Sequence, residues 1–512
     1  MARYKSYSQA QSLFIPVCFD EQIIPGTFVF AINHIVDNEL DLSIFEKKFF
    51  NERTGAPAYN PAVLLKIILY AYSLGVISSR KIAWCCNTNV TFMALSGDSR
   101  PHYTTIAKFV SSLKEEISAL FTRVVVICSM EGLIGEKMFA IDGCKLSSNA
   151  SKEWSGTRKN LKRKAAKIEK SIDVILEKHQ AQDKGSEEVI GMTAKEEKAV
   201  ENLQKKAEKV NAWLDENEDR IGTRGKPIQS NITDNESAKM ATSHGVLQGY
   251  TGIAVADDEK QVIVHAEAFG SATEHLYLKE MLEGARDNMR QVDGVKDIFR
   301  NSVFTGDTGF HSTEGLAWAE SKHLEAYIPD NQFRQRDPRF ATADRHKKPI
   351  DKRKTVKKAK YFKASEFVYD PEKKKLICPA GNELYVENSN FKDQKGLRGI
   401  TYAAKKTDCR ACDLRSKCIR GKKVEHRHVT IFTNTMRQLD TPVSRMIKRF
   451  ETPKGRFWYS RRMGTIEPVF GNIRSTLGLD HFTLRGKEKV GIQWKLYAMV
   501  HNIGKLAHYA WN

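Results

Sequence analysis

The sequence lacks a membrane-length apolar run. None reaches the ~18 residues of a span, and the best candidate, Pro61 to Val76, is interrupted by Lys66. It lacks a secretory leader of ordinary strength, because Lys5 precedes only a short apolar stretch from Leu13 to Phe19. It lacks the even cysteine set of a disulfide scaffold. Nine cysteines are an odd number, and Cys18, Cys85, Cys86, Cys128 and Cys144 sit in apolar or helical contexts, as expected in a reducing, cytoplasmic compartment. No internal repeat or low-complexity linker is evident. The sequence is also short of acid: 62 Asp and Glu stand against 82 Lys and Arg, a formal charge of +20. That surplus fits a polyanionic partner, nucleic acid first, and fits a membrane surface less well because no basic amphipathic anchor stands out. With 41% hydrophobic and 28% charged residues, the 512-residue chain reads as globular rather than disordered or fibrous. Its length predicts about three domains at roughly 150 residues each.

Residues 1–130 read as all-α. Leu64, Leu65, Ile67, Ile68, Leu69, Tyr72 and Leu74 make a broad apolar face that begins at Asn60-Pro61. Ser78-Ser79-Arg80-Lys81-Ile82 then reads as a helix start carrying two cations, and Asp98-Ser99-Arg100-Pro101 as a turn before another helix from Tyr103. Short helices with cationic starts fit a helix-turn-helix DNA reader and fit a plain helical bundle about equally. From Lys137 the pattern changes to a short apolar strand ending at Asp142. Residues 157–215 carry Leu161, Ala165, Ile168, Ile172 and Ile175, then Val200, Leu203, Ala207, Val210 and Leu214, at helical spacing. This predicts an inserted helical hairpin with a polar break at Gln182 to Gly191. Its cations from Arg158 to Lys167 face either phosphates or solvent. Gln248 to Ala256 and Gln261 to Phe269 read as a β-hairpin joined by Asp257-Asp258-Glu259-Lys260, Leu276 to Met289 as a helix, and Ser302 to Asp307 as a second strand ending in an acid. Residues 331–430 form a basic, cysteine-bearing region, and the chain turns helical again from Arg437.

Three acids carry the chemical interest. Asp142 and Asp307 sit at strand ends, where open α/β sheets bind ligands. Glu467 lies in Tyr459-Ser460-Arg461-Arg462-Met463-Gly464-Thr465-Ile466-Glu467-Pro468, with Arg474 two helical turns on. Pro468 argues against a regular helix through that point unless it begins or kinks near Glu467. Converging carboxylates hold Mg²⁺ or Mn²⁺ while cations and a tyrosine hold a phosphate chain, the arrangement of two-metal phosphoryl transfer. Any one strand-end aspartate is more often a cap or surface residue. The cysteines Cys378, Cys409, Cys412 and Cys418 form a second constellation. Cys409-x₂-Cys412 has metal-ligand spacing, so the four are read either as a structural Zn²⁺ site or as reduced thiols in a basic loop that includes Lys422 and Lys423. His311, His481 and Trp154 read more readily as a cap, packing and core residue, respectively, than as parts of a site.

Over most of its length the chain resembles the DDE transposases of bacterial insertion sequences. Tyr59-Asn60-Pro61, Tyr72-Ser73-Leu74-Gly75 and Arg100-Pro101-His102-Tyr103-Thr104-Thr105-Ile106 are similar to that group's N-terminal region. Ile141-Asp142-Gly143, Gly306-Asp307-Thr308-Gly309-Phe310 and Glu467-Pro468-Val469-Phe470-Gly471 are similar to its three acidic motifs. Leu484-Arg485-Gly486 through Asn502 is similar to its last helix. The family signature around the last acid is Tyr, Arg, Glu, Lys. Tyr459, Arg462 and Glu467 match in order, with one extra residue before Glu467 and Arg474 in place of lysine.

The resemblance implies an α/β fold with a ribonuclease-H-like catalytic core over 131–330 and 431–512. The hairpin 157–215 and the Cys-rich segment 331–430 would be insertions, and 1–130 an all-α DNA-binding domain. It implies Asp142, Asp307 and Glu467 as catalytic, Mg²⁺- or Mn²⁺-holding residues. Tyr459, Arg461, Arg462, Arg474, Arg80 and Lys81 would contact double-stranded DNA, both element ends and target, with no membrane partner. Such enzymes act on paired ends, which implies a homodimer. The expected activity is metal-dependent cleavage and strand transfer. The rivals are a nuclease with the same core but no strand transfer, and a DNA-binding derivative without catalysis.

Overall fold

The computed structural model describes residues 16–48, 57–183, 193–222, 225–242, 245–293, 297–340, 342, 361–373, 375–393, 397–421, 424–433 and 440–511. The start of the Leu13–Phe19 stretch, most of the hairpin's polar break, the basic run 343–360, Lys422, Lys423 and Arg437 lie outside the described residues. Two compact units result. One comprises Met1–Phe310, His323–Glu325 and Trp458–Asn512, the other His311–Lys322 and Ala326–Phe457. No described helix is long and apolar enough to cross a membrane.

The first unit is α/β. Its sheet is built on β1 (Met138–Ser147), β2 (Ala238–Thr242), β3 (Gly245–Asp257), β4 (Ile263–Phe269) and β5 (Val303–Gly306). β3 runs antiparallel to β1 along one edge, and its other edge is shared by β2 and β4, both antiparallel. β5 lies on the far side of β1, parallel to it, with Met138 opposite Val303 and Ile141 opposite Gly306. β3 is buried almost throughout, as a central strand covered on both faces must be.

β1 does not end at Asp142. It continues to Ser147, because Gly143, Cys144 and Leu146 keep their antiparallel register with Ile253, Gly252 and Tyr250 of β3. The long partner strand extends the ladder beyond the point where the apolar run in the sequence stops. β5 spans Val303–Gly306, one residue shorter at each end than the expected Ser302–Asp307, so Asp307 is the first residue past the sheet.

Before the sheet come α1 (Phe28–His34), α2 (Pro61–Ser73), α3 (Ser79–Thr88), α4 (Val90–Ser96), α5 (Tyr103–Ser112) and α6 (Lys114–Met130). Pro61 opens α2 where a missing N–H costs nothing, and Asn60 Oδ1 caps it by accepting from Ala62 N at 2.8 Å. α7 (Arg158–Asp183) and α8 (Ala194–Glu216) pack together through Leu161, Ala165, Val210, Trp213 and Leu214. The last helix of the chain, Lys487–Tyr509, is buried from Val490 to Ile503 and packs on α2, α6 and β4. Two of its polar residues bond to strand edges. Asn502 accepts from Ile263 N and donates to Ile263 O, and Trp494 Nε1 donates to Ile253 O.

The helix Pro453–Gly471 carries Arg462 and Glu467 and continues past Pro468. Proline removes the N–H that the Gly464 carbonyl would accept. Gln261 Nε2 donates to that carbonyl instead, at 3.1 Å. A tertiary contact thus offsets what the local sequence withholds, and a π-helical turn, Asn472–Thr476, follows.

The second unit contains a five-stranded antiparallel sheet from Val368–Asp370, Lys375–Ile377, Glu383–Lys392, Arg398–Ala404 and His428–Phe432, paired in chain order. Phe367, Leu376, Leu384, Tyr402, Ala404 and Val429 form its small core, with Cys378, Cys409 and Cys418 packed against it.

Candidate active site

Asp142 lies within β1 with its side chain largely buried, just beyond the segment paired with β5. Oδ1 accepts from Gly143 N at 2.8 Å, and Oδ2 accepts from Arg462 Nη1 at 2.7 Å. Arg462 is 7% exposed, and its Nε has no hydrogen-bond partner. The guanidinium also stands 5.6 Å over the ring of Tyr459. Asp307 is held by the turn it opens, its Oδ1 accepting from Gly309 N at 2.8 Å. Burial raises the Asp142 carboxyl above its ordinary range. Arg462 opposes that rise, and the neighbouring Asp307 charge adds to it.

A third carboxylate in this cleft was missed in the sequence. Glu274 follows β4 and precedes α9 (Leu278–Asp293). A methyl group at Gly143 would come within 2.9 Å of Glu274 Oε1, and one at Gly309 would overlap Glu274 Oε2 and lie 2.8 Å from Asp307 Oδ1. Burial, then Asp307, then Asp142 push the Glu274 carboxyl up to about 7. The signal that could have found it is the one that marked Asp307, an acid just beyond an apolar strand.

Glu467 is exposed, five residues past Arg462 on the same helix. Among the described residues, no direct contact joins it to Asp142 or Asp307. Arg474 is exposed near Cys144, whose thiol burial pushes up to about 12 while the Arg474 charge opposes that shift. Arg461 is engaged by Asp258, Nη2 to Oδ2 at 2.8 Å. Arg80 and Lys81 are exposed at the start of α3, where Arg80 stands 4.9 Å over Tyr103, and Trp84 beside them is 60% exposed. Trp154 lies under Lys164 and Lys209, 4.4 and 5.3 Å from its ring centroid, so its faces are already used. His311 Nδ1 is 3.1 Å from the Ile328 carbonyl, and His481 pairs with Asp480.

In the second unit Cys378, Cys409, Cys412 and Cys418 line one cavity with Phe362, Leu414 and Arg427. Burial raises the Cys418 thiol, Arg427 opposes it, and the other three cysteines add to the rise. Among the described residues, the group of metal-ligating atoms that lies within 4.8 Å of one another is a different one: Glu387, His426 and His428 on the same sheet. The His-x-His spacing was its sequence signal.

Residues 377–507 match the family model of a transposase DDE domain, and residues 17–112 match that of a transposase domain, DUF772. The two matches support a DDE-type transposase. The first spans Glu467 and all four clustered cysteines but neither Asp142 nor Asp307. A DDE domain implies a DNA-cutting enzyme, a divalent metal and DNA as partner. No curated protein matches the chain.

Proposed function

We propose that the chain cuts and joins DNA as the transposase of an insertion sequence. The observation that carries this is the meeting of Asp142 and Asp307, far apart in sequence, each one residue past the paired segment of two neighbouring parallel strands, within a chain that matches two transposase models. The order β4–β3–β1–β5, with only the last pair parallel, supports a ribonuclease-H-like core.

The donor set fits a hard divalent cation. Asp142 and Asp307 offer carboxylate oxygens and repel each other across a partly buried cleft, and Arg462 is the one cation bonded to either of them among the described residues. Mg²⁺ or Mn²⁺ there supplies Lewis acidity and neutralises charge at a phosphodiester. Asp142 and Asp307 would hold it, with Glu467 as the third acid. The Arg462 guanidinium, bonded to Asp142 and buried beside it, would add positive charge next to a bound phosphate. Arg474, near Cys144, and Tyr459, under Arg462, would contact the DNA backbone, and Arg80, Lys81 and Trp84 offer a second basic surface for duplex DNA. Water attacks the phosphorus at the element end and the bond to the 3′-oxygen breaks. The freed 3′-hydroxyl then attacks a phosphorus of the target, releasing a target 3′-oxygen. A structural Zn²⁺ at Cys378, Cys409, Cys412 and Cys418 would stabilise the small sheet.

The test is Mg²⁺-dependent cleavage and joining of DNA that carries the element's own ends, with wild type beside Glu467→Ala. Cleavage and joining that disappear in the variant support the reading. Cleavage without joining leaves a nuclease, and DNA binding without either leaves a non-catalytic derivative.

A further inference from the structure

Glu274 stands out because the two positions it presses on are glycines, each tied to a different acid. Gly143 is the residue whose N–H holds Asp142 Oδ1, and Gly309 is the residue whose N–H holds Asp307 Oδ1. The two oxygens of Glu274 lie over these two glycines, one over each, where an added Cβ would crowd them. The carboxylate therefore spans the gap between the two acid-bearing turns. It has no hydrogen bond or ion pair of its own among the described residues. The nearby cations that act on it are Lys145 and Arg462, and neither comes within ion-pair distance. A half-buried acid placed against two like charges, with nothing protein-borne to satisfy it, is relieved by a proton or by a cation that joins it, and a divalent ion relieves all three carboxylates at once.

We propose that Glu274 is a further carboxylate of the metal centre, holding a divalent ion between the Asp142 and Asp307 turns. The assignment rests on the proposed metal-dependent reading of the site. Charge balance supports it. Two divalent ions together with the Arg462 cation outweigh Asp142, Asp307 and Glu467, and a fourth carboxylate narrows that gap. Position supports it as well, because Glu274 comes from the β4–α9 connection, a segment separate from those that carry Asp142 and Asp307.

The test is Mn²⁺ titration of the full-length chain without DNA, followed by electron paramagnetic resonance of free Mn²⁺, for wild type, Glu274→Gln, Asp142→Asn and Asp307→Asn. Glu274→Gln keeps the shape, and a melting curve like wild type verifies the fold. It is expected to weaken Mn²⁺ binding about tenfold or more, the scale seen when groups that support a metal are removed. Gly309→Ala, which crowds the carboxylate without deleting it, is expected to weaken binding too. Wild-type titration by Glu274→Gln, while Asp142→Asn and Asp307→Asn lose Mn²⁺, overturns the role of Glu274 and leaves the metal centre standing. Wild-type titration by all three overturns the metal centre itself. A second readout is backbone cleavage by Fe²⁺ with ascorbate. Cuts near 142, 274 and 307 support the assignment, and cuts near 142 and 307 without 274 overturn it.

Discussion

The carboxylate cleft of the first unit and the thiol cavity of the second invite comparison, since each gathers side chains suited to a metal. The cleft collects hard oxygen donors from three separated segments, the β1 strand, the β4–α9 connection and the turn after β5. Its charges are unbalanced: the Glu274 carboxyl is pushed up to about 7, and the buried Arg462 keeps one nitrogen without an acceptor. The thiol cavity draws soft donors from a short stretch of chain, against an apolar core of Phe367, Leu376, Leu384, Tyr402 and Val429. An unsatisfied, half-open charge cluster suits a ligand that comes and goes with substrate, whereas a set of partly buried thiols packed against an apolar core suits an ion that stays for the life of the fold.

The largest expected effect separates the two directly. Asp142→Asn and Asp307→Asn should each lower Mg²⁺-dependent DNA cleavage by about 10³-fold or more. Loss of a single charge-stabilising group costs on the order of 10²–10³ in rate, and a carboxylate that also holds the ion costs at least that. Zinc content and the affinity for end DNA should not change. Residual cleavage at a tenth of wild type would break the comparison, because the cleft would then be no more functional than the cavity.

Cys409→Ser with Cys412→Ser is the reciprocal variant. Purified wild-type protein should contain about one zinc per chain by elemental analysis, and the variant none. Structural zinc contributes on the order of 10 kcal/mol of apparent binding energy, so the small sheet should become protease-sensitive while Mn²⁺ binding at the cleft persists. Zinc-free wild-type protein that resists protease would remove the second half of the comparison.

A smaller effect sharpens the contrast in charge. Arg462→Met leaves Asp142 buried without its partner. Breaking such a pair costs about 3–5 kcal/mol, less where the carboxylate keeps partial access to solvent, as Asp142 does at 18% side-chain exposure. Thermal unfolding should show the loss without metal and a partial recovery with Mn²⁺, because a cation in the cleft takes over from the guanidinium. Equal destabilisation with and without Mn²⁺ would mean that Arg462 is only a structural partner.

What the sequence made legible follows the range of the forces involved. The hairpin 248–269, the helix at the start of α2 and the strand that delivers Asp307 rest on local alternation, capping and turns, and each could be read from a few adjacent residues. The extension of β1 past Asp142 could not, because its cause is the length of a partner strand more than a hundred residues away. Glu274 was hidden for the same reason. Its significance lies in two glycines, one at 143 and one at 309, and no single stretch of sequence contains all three. The four cysteines were conspicuous by spacing alone, while the Glu387–His426–His428 group depends on the pairing of strands.

The smallest effect concerns the helix that connects Arg462 to Glu467. Sequence logic holds that Pro468 should end or kink it, yet the helix persists, with the Gly464 carbonyl accepting from Gln261. Gln261→Ala should cost about 1 kcal/mol for that carbonyl, plus whatever is lost with the Lys505 bond that the same side chain accepts at 3.0 Å. Pro468→Ala restores an N–H at the right place, so in its background Gln261→Ala should cost less. The coupling, read from denaturant unfolding of all four proteins, isolates the carbonyl because the Lys505 bond is lost in both backgrounds. Zero coupling would mean that the helix needs no external donor at Gly464, and that the rigidity of the segment holding Glu467 at a fixed offset from Arg462 has another source.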